Sequence, residues 1–183
     1  TQKIVLIGDS HSGALEFNLN EKIKKKDLSL IRFRTTMYLT DFNRVNKKTK
    51  KIHEDFIESN IKIDNFLKEN SNLIIILSQR WSVTLLETCF DNSEGYKEYC
   101  YDIEYLEPID IKTSSLKERQ QYIKEGLISQ INKIINQGHK LILVYPVPEM
   151  TFKPPALLYS ITLLSKLRNL RWFSFCTRIF LHT

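Results

Sequence analysis

The sequence predicts an α/β domain built as a three-layer α/β/α sandwich on a mostly parallel central sheet. Four short apolar runs, at 3–7, 28–33, 73–77 and 140–145, recur along the chain. Stretches with helical spacing separate them, giving the strand–helix alternation of a doubly wound sheet. The composition, 42% hydrophobic and 26% charged over 183 residues, suits one globular domain able to bury a core.

The first run, KIVLI, is uninterrupted and ends in Gly8, as a strand buried on both faces does. A helix is expected over 12–25. LSLIRF at 28–33 reads as a second strand, and the polar residues 35–50 read as loop. Over 53–69, Phe56, Ile57, Ile61, Ile63 and Phe66 recur at near-helical spacing and predict a helix. LIIIL at 73–77 is β-branched and of strand length, and it runs into Ser78-Gln79-Arg80-Trp81. Ser114 or Ser115 can cap a helix over 116–137, because Glu118 follows Ser115 at capping-box spacing. The apolar stripe of that helix is Ile123, Leu127, Ile128, Ile131, Ile134 and Ile135, and Gly138 suits its C-terminal end. KLILVY at 140–145 is the last strand, followed by Pro146-Val147-Pro148-Glu149.

In such a sheet, sites form beyond the carboxyl ends of the strands, where the strand order switches direction. Residues 8–11, 78–81 and 146–149 all leave strands at that edge, so they are expected to meet in space. Of these, Gly8-Asp9-Ser10-His11 carries the most chemistry. Glycine permits a tight strand-to-helix turn, and a helix N-terminus offers free N–H groups to developing negative charge. A serine placed there exposes its hydroxyl and can use its own N–H toward an oxyanion. The segment is neither a Gly-x-Ser-x-Gly elbow nor a glycine-rich dinucleotide loop. An ordinary turn with Asp9 or Ser10 as cap is the structural alternative.

Charge and cysteines narrow the function classes. The chain has 27 Lys and Arg against 21 Asp and Glu, a net charge of +6. The excess is scattered and reads as solvated surface, so no nucleic acid is expected as a partner. The apolar runs are too short to cross a bilayer. A strand begins almost at once after Thr1, with no leader before it, so the chain is expected to be a piece of a longer protein or a mature product. Cys89 and Cys100 bracket a short polar and aromatic segment. A bridge between them would stabilise the fold by roughly 2–3 kcal/mol and would imply an oxidising compartment; two free thiols are the other reading. No second Cys/His pair has ligand spacing, so zinc is not expected.

IVLIGDSHSGAL resembles the first block of the SGNH/GDSL hydrolases, which have a flavodoxin-like α/β fold. Its Gly-Asp-Ser-His form resembles the SGNH domains fused behind membrane acyltransferase-3 proteins, which O-acetylate bacterial surface polysaccharides. IIILSQRW and LILVYPVPEM fit the same group, and the resemblance spans about residues 3 to 160. It implies that Ser10 attacks an acyl carbonyl and carries the acyl group as an ester. A sugar hydroxyl then takes it in transfer, or water in hydrolysis. Gly8 and Arg80 are the implied oxyanion or substrate-binding positions, Arg80 standing where many members carry an oxyanion-hole Asn. The implied partners are a surface glycan and a membrane acyltransferase domain in the same full-length protein, and the implied location is extracytoplasmic.

The chain departs from that pattern in its base. Family members take a catalytic His from an Asp-x-x-His motif near the C-terminus, and no Asp here has His three residues later. His11 adjoins the serine, His53 begins a helix, and His139 precedes a strand at the opposite edge. His182 alone stands in the expected region, without a neighbouring carboxylate. Residues 167–183 are basic, aromatic and free of acids, so the domain is expected over 1–166 with an atypical tail. Little turnover is expected of this chain. A degenerate domain that binds glycan or docks on a membrane acyltransferase is the alternative, and a nucleotide- or nucleic-acid-binding domain a more distant third.

Overall fold

The computed structural model describes residues 2–24, 26–88 and 103–144. In chain order its elements are β1 (Gln2–Gly8), α1 (Ser10–Ile23), β2 (Leu28–Arg34), β3 (Phe42–Asn46), α2 (Glu54–Glu69), β4 (Ile74–Leu77), α3 (Trp81–Leu86), β5 (Glu104–Pro108), α4 (Leu116–Asn136) and β6 (Lys140–Leu143). Four of the strands form one parallel sheet in the order β2-β1-β4-β6.

The period-2 alternation of strand side chains sorts the apolar residues onto two faces. Ile4, Leu6 and Ile76 pack with Ile23 of α1 on one side. Val5, Ile7, Ile75 and Leu77 pack with Ile63 and Leu67 of α2 and Ile134 of α4 on the other. The expected three layers are therefore present. After β1 the chain goes to β2 on one side, and after β2 it crosses to β4 on the other. The strand order thus switches between β1 and β4, beside the turn that carries Ser10.

Helix ends follow their sequence signals. Ser115 Oγ accepts from Glu118 N at 3.2 Å, while the Glu118 carboxylate reaches back to Ser114, accepting from its N at 2.8 Å and its Oγ at 2.9 Å. Gly138 follows α4 at φ +80°, a conformation that favours glycine.

Two expectations need correction. Residues 35–50 are not all loop: Phe42–Asn46 forms β3, which pairs antiparallel with β5 as a separate ribbon. The ribbon has its own small core of Met37, Leu39, Phe42, Phe56, Leu106 and Ile123. Its strands, FNRVN and EYLEP, are half polar because Arg44 pairs across them with Glu104, a pairing that neither strand reveals alone. The first helix also starts two residues early, at Ser10, because Asp9 caps it.

A buried polar network ties α2 to α4. Asp64 accepts from Tyr38 Oη at 3.2 Å and pairs with Lys133 at 2.5 Å and Lys68 at 2.7 Å. Burial pushes the Asp64 carboxyl up, but the hydrogen bonds and charges of the two lysines outweigh it and hold the group below its ordinary range. Burial and the Asp64 charge push the Tyr38 phenol far up. Among the described residues no helix is long and apolar enough to cross a membrane.

Candidate functional site

The turn after β1 is fixed from both sides. Gly8 has φ +152°, and a Cβ there would run into the carbonyl oxygen of Ser78 on the strand beside it. Only glycine tolerates both the conformation and the approach. Its own carbonyl accepts from Thr35 N at 3.1 Å, just past β2, and Ser78 N donates to Ile7 O at 3.0 Å. Gly8 is thus wedged between the ends of β2 and β4.

Asp9 completes the clamp. One carboxylate oxygen accepts from His11 N at 2.8 Å, capping α1. The other accepts from the backbone N of Arg80 at 2.7 Å, where the chain leaves β4. The Asp9 carbonyl accepts from Ser12 Oγ at 2.6 Å and Gly13 N at 3.3 Å. Ser10 is left as the exposed first residue of α1. Among the described residues neither its hydroxyl nor its N–H has a hydrogen-bond partner.

Ser10 lies on the rim shared by two hollows. The smaller, about 270 Å³, is walled by Asp9, Arg80, Thr84, Glu87, Glu104 and Tyr105. The larger, about 550 Å³, is bounded by Arg32, Arg34, Thr36, Arg44, Asp55 and Ser59. Thr36 and Arg44 line both, and the Thr36 hydroxyl is buried without a hydrogen bond. The amide of Gln79, which follows β4, is likewise buried and unbonded at both its polar atoms. Buried polar atoms are normally hydrogen-bonded, so these two side chains stand out beside the turn.

The far wall of the smaller hollow is rigidly built. Glu87 is buried and left-handed at φ +51°. Both its carboxylate oxygens bind Arg119, the Nη2 contact at 2.7 Å, and that fork raises the guanidinium's affinity for its proton. The same guanidinium stacks over the Tyr105 ring at 4.7 Å. At the near side, the Trp81 indole donates to Val144 O at 3.2 Å, tying α3 to the end of β6.

Gly8, Ser10 and Arg80 come together at the switch point, Arg80 through both its backbone bond to Asp9 and its place in the smaller hollow. None of the three described histidines faces the Ser10 hydroxyl as a base would. His11 is the next residue on the helix, and adjacent helical residues do not face each other. The two ring nitrogens of His53 lie toward carboxylates, Nε2 at 2.9 Å from Glu104 and Nδ1 at 3.8 Å from Asp55. His139 is buried at the opposite sheet edge, with Nδ1 accepting from Leu73 N at 3.3 Å and Nε2 against Leu67 O at 3.1 Å. Cys89, Cys100, Pro146 to Glu149, His182 and the tail lie outside the described residues.

Sequence reasoning missed Arg32, Arg34 and Arg44. A signal for the first two exists: Leu28 and Leu30 face α1, and the same period-2 face becomes arginine at 32 and 34 as β2 reaches the site edge. Arg32 pairs with Glu16 at 2.5 Å and Arg44 pairs with Glu104. Among the described residues no cluster of His, Cys, Asp and Glu could hold a metal ion.

Comparison with known proteins adds one match. A family model described as an SGNH domain fused to AT3 domains covers residues 1–175. No curated protein and no solved structure matches.

Proposed function

The chain belongs to the SGNH domains found fused to AT3 domains, a hydrolase- and acyltransferase-like family, and on that premise we propose that it moves an acyl group through Ser10. The observation that carries the proposal is the clamped Gly8–Asp9 turn, which presents an unbonded serine hydroxyl at the switch point between two hollows. Ser10 Oγ attacks the acyl carbonyl carbon, and its proton passes to a base. The carbonyl oxygen gains the negative charge, which the Ser10 N–H at the start of α1 and the Arg80 guanidinium stabilise. Collapse of the intermediate expels the donor's oxygen and leaves an acyl-serine ester. A sugar hydroxyl of a bacterial surface polysaccharide then attacks that ester, or water does, and Ser10 regains its proton.

His182 is the histidine left to serve as base, since His11, His53 and His139 are placed otherwise. The acyl group, taken to be acetyl, arrives from a membrane acyltransferase domain of the same full-length protein. The site works outside the cytoplasm without a metal or cofactor, over a domain of residues 1–166, and a Cys89–Cys100 bridge suits that setting.

A second reading is favoured by the same histidines: without a base, the domain holds glycan or docks on its membrane partner and turns nothing over. A fluorophosphonate probe separates the two. Labelling of the wild type, absent in Ser10→Ala and slowed at least about tenfold in His182→Ala, is the expected result. Equal labelling of wild type and Ser10→Ala would rule out Ser10 as nucleophile.

A further inference from the structure

We infer that the larger hollow beside Ser10 recognises an anionic group, carboxylate or phosphate, on the acceptor glycan, and that Arg34 is the residue that reads it. The inference rests on Ser10 being the acyl-carrying residue and names the class of acceptor that reaches it.

Three arginines from two separate strands converge on this hollow: Arg32 and Arg34 from β2, and Arg44 from β3. Two of them are already matched. Arg32 is tethered by Glu16 at 2.5 Å, and it leans over Gly13, where its Nη2 would lie 2.8 Å from an added Cβ. Arg44 is held by Glu104 across the ribbon. Arg34 is exposed and has no carboxylate partner among the described residues. The two carboxylates that share the lining do not supply one: Asp9 is occupied by the N–H groups of His11 and Arg80, and Asp55 stands by His53.

Placement on the strand makes this more than a loose surface charge. Arg34 is the last residue of β2, and the next residue, Thr35, is pinned to the Gly8 carbonyl. Its backbone is therefore fixed relative to the turn that holds Ser10. A guanidinium offers a planar fork of donors that suits a carboxylate or phosphate better than any neutral hydroxyl. The buried, unbonded Thr36 hydroxyl on the same lining offers a further donor beside it. A neutral sugar would leave Arg34 solvated and gain little from it. An acidic one would be drawn in and oriented with a hydroxyl toward Ser10.

The test uses the 183-residue chain with Ser10→Ala, so that nothing is turned over, and measures binding by titration calorimetry. The probes are trigalacturonic acid, a phosphorylated trisaccharide and neutral galactotriose. Both acidic probes, or one of them, are expected to bind about tenfold more tightly than the neutral one, with the advantage shrinking at high salt. Adding Arg34→Gln should abolish that advantage, Arg34→Lys should keep part of it, and Lys140→Gln, at the opposite sheet edge, should keep all of it. Which acid wins distinguishes carboxylate from phosphate. Equal binding of acidic and neutral probes, an advantage that survives Arg34→Gln, or no binding at all would overturn the inference. Serine labelling lost in Ser10→Ala would in each of those cases leave the acyl-transfer reading standing, whereas Ser10-independent labelling would remove that reading itself.

Discussion

The two edges of the central sheet are finished differently. At the amino edge, His139 fills both ring nitrogens with backbone partners, Lys140 N donates to Leu73 O at 2.8 Å, and Lys3 reaches Asn70 at 2.8 Å. At the carboxyl edge, backbone groups are clamped as firmly, yet among the described residues Thr36 Oγ1 and both polar atoms of Gln79 are buried without a hydrogen bond, and the exposed Ser10 hydroxyl and Arg34 guanidinium have no side-chain partner. Among the described residues the amino edge meets its polar groups with partners from the fold itself. The other is rigid in its backbone and open in its side chains, which is the combination a binding or reacting surface needs.

Gly8 is where a single substitution should disturb the carboxyl edge most. Gly8→Ala forces a Cβ into the Ser78 carbonyl at an unfavourable φ and should cost more than about 4 kcal/mol, measured as a collapse of the urea midpoint. Retention of the wild-type midpoint would show that the turn can open. His139→Ala attacks the other edge. Leaving Leu67 O and Leu73 N without their partner should cost about 2 kcal/mol, with the labelling rate of Ser10 in the folded protein unchanged. Asp9→Ala should show the opposite split. The loss of a helix cap costs only about 1–2 kcal/mol, but freeing Arg80 N from the turn should slow fluorophosphonate labelling at least about tenfold. If His139→Ala slowed labelling as much as Asp9→Ala, the two edges would not be functionally distinct.

Acid should give the smallest effect. The Asp64 carboxyl titrates below its unfolded value of 3.8, so its stabilisation is complete above that value and fades as the pH falls through the lower folded one. The difference in urea midpoint between wild type and Asp64→Asn should therefore be full at neutral pH and narrow as acid takes the carboxylate below its ordinary range. A constant difference would mean that Lys68 and Lys133 do not stabilise the carboxylate.

Much of this edge-to-edge contrast was legible in the sequence, though unevenly. The uninterrupted runs KIVLI and LIIIL announce strands buried on both faces, and the helical spacing of Phe56, Ile63 and Ile134 announces the helices that cover one of them. Gly8-Asp9-Ser10-His11 marked the candidate turn because glycine, cap and serine stand in the order that a strand-to-helix junction requires. The Asp9 bridge to Arg80 was hidden, since its partners are 71 residues apart. The ribbon of β3 and β5 was hidden for a related reason. Each strand is short and half polar, and its stability comes from Phe42 and Leu106 meeting α2 and α4, not from its own pattern. Arg34 was visible only as a charge that ended a strand.

The ribbon's separate core bears on how such domains diversify. Met37, Leu39, Phe42 and Leu106 hold β3 and β5 in place through their own cluster, apart from the two that bury the sheet. Side chains pointing from the ribbon into the hollows, Arg44 and Glu104 among them, can therefore change without disturbing β1 or β4. The wall that the ribbon gives to the two hollows can thus be rebuilt while the Gly8–Asp9–Ser10 turn stays fixed, so one scaffold can present differently shaped hollows beside the same serine.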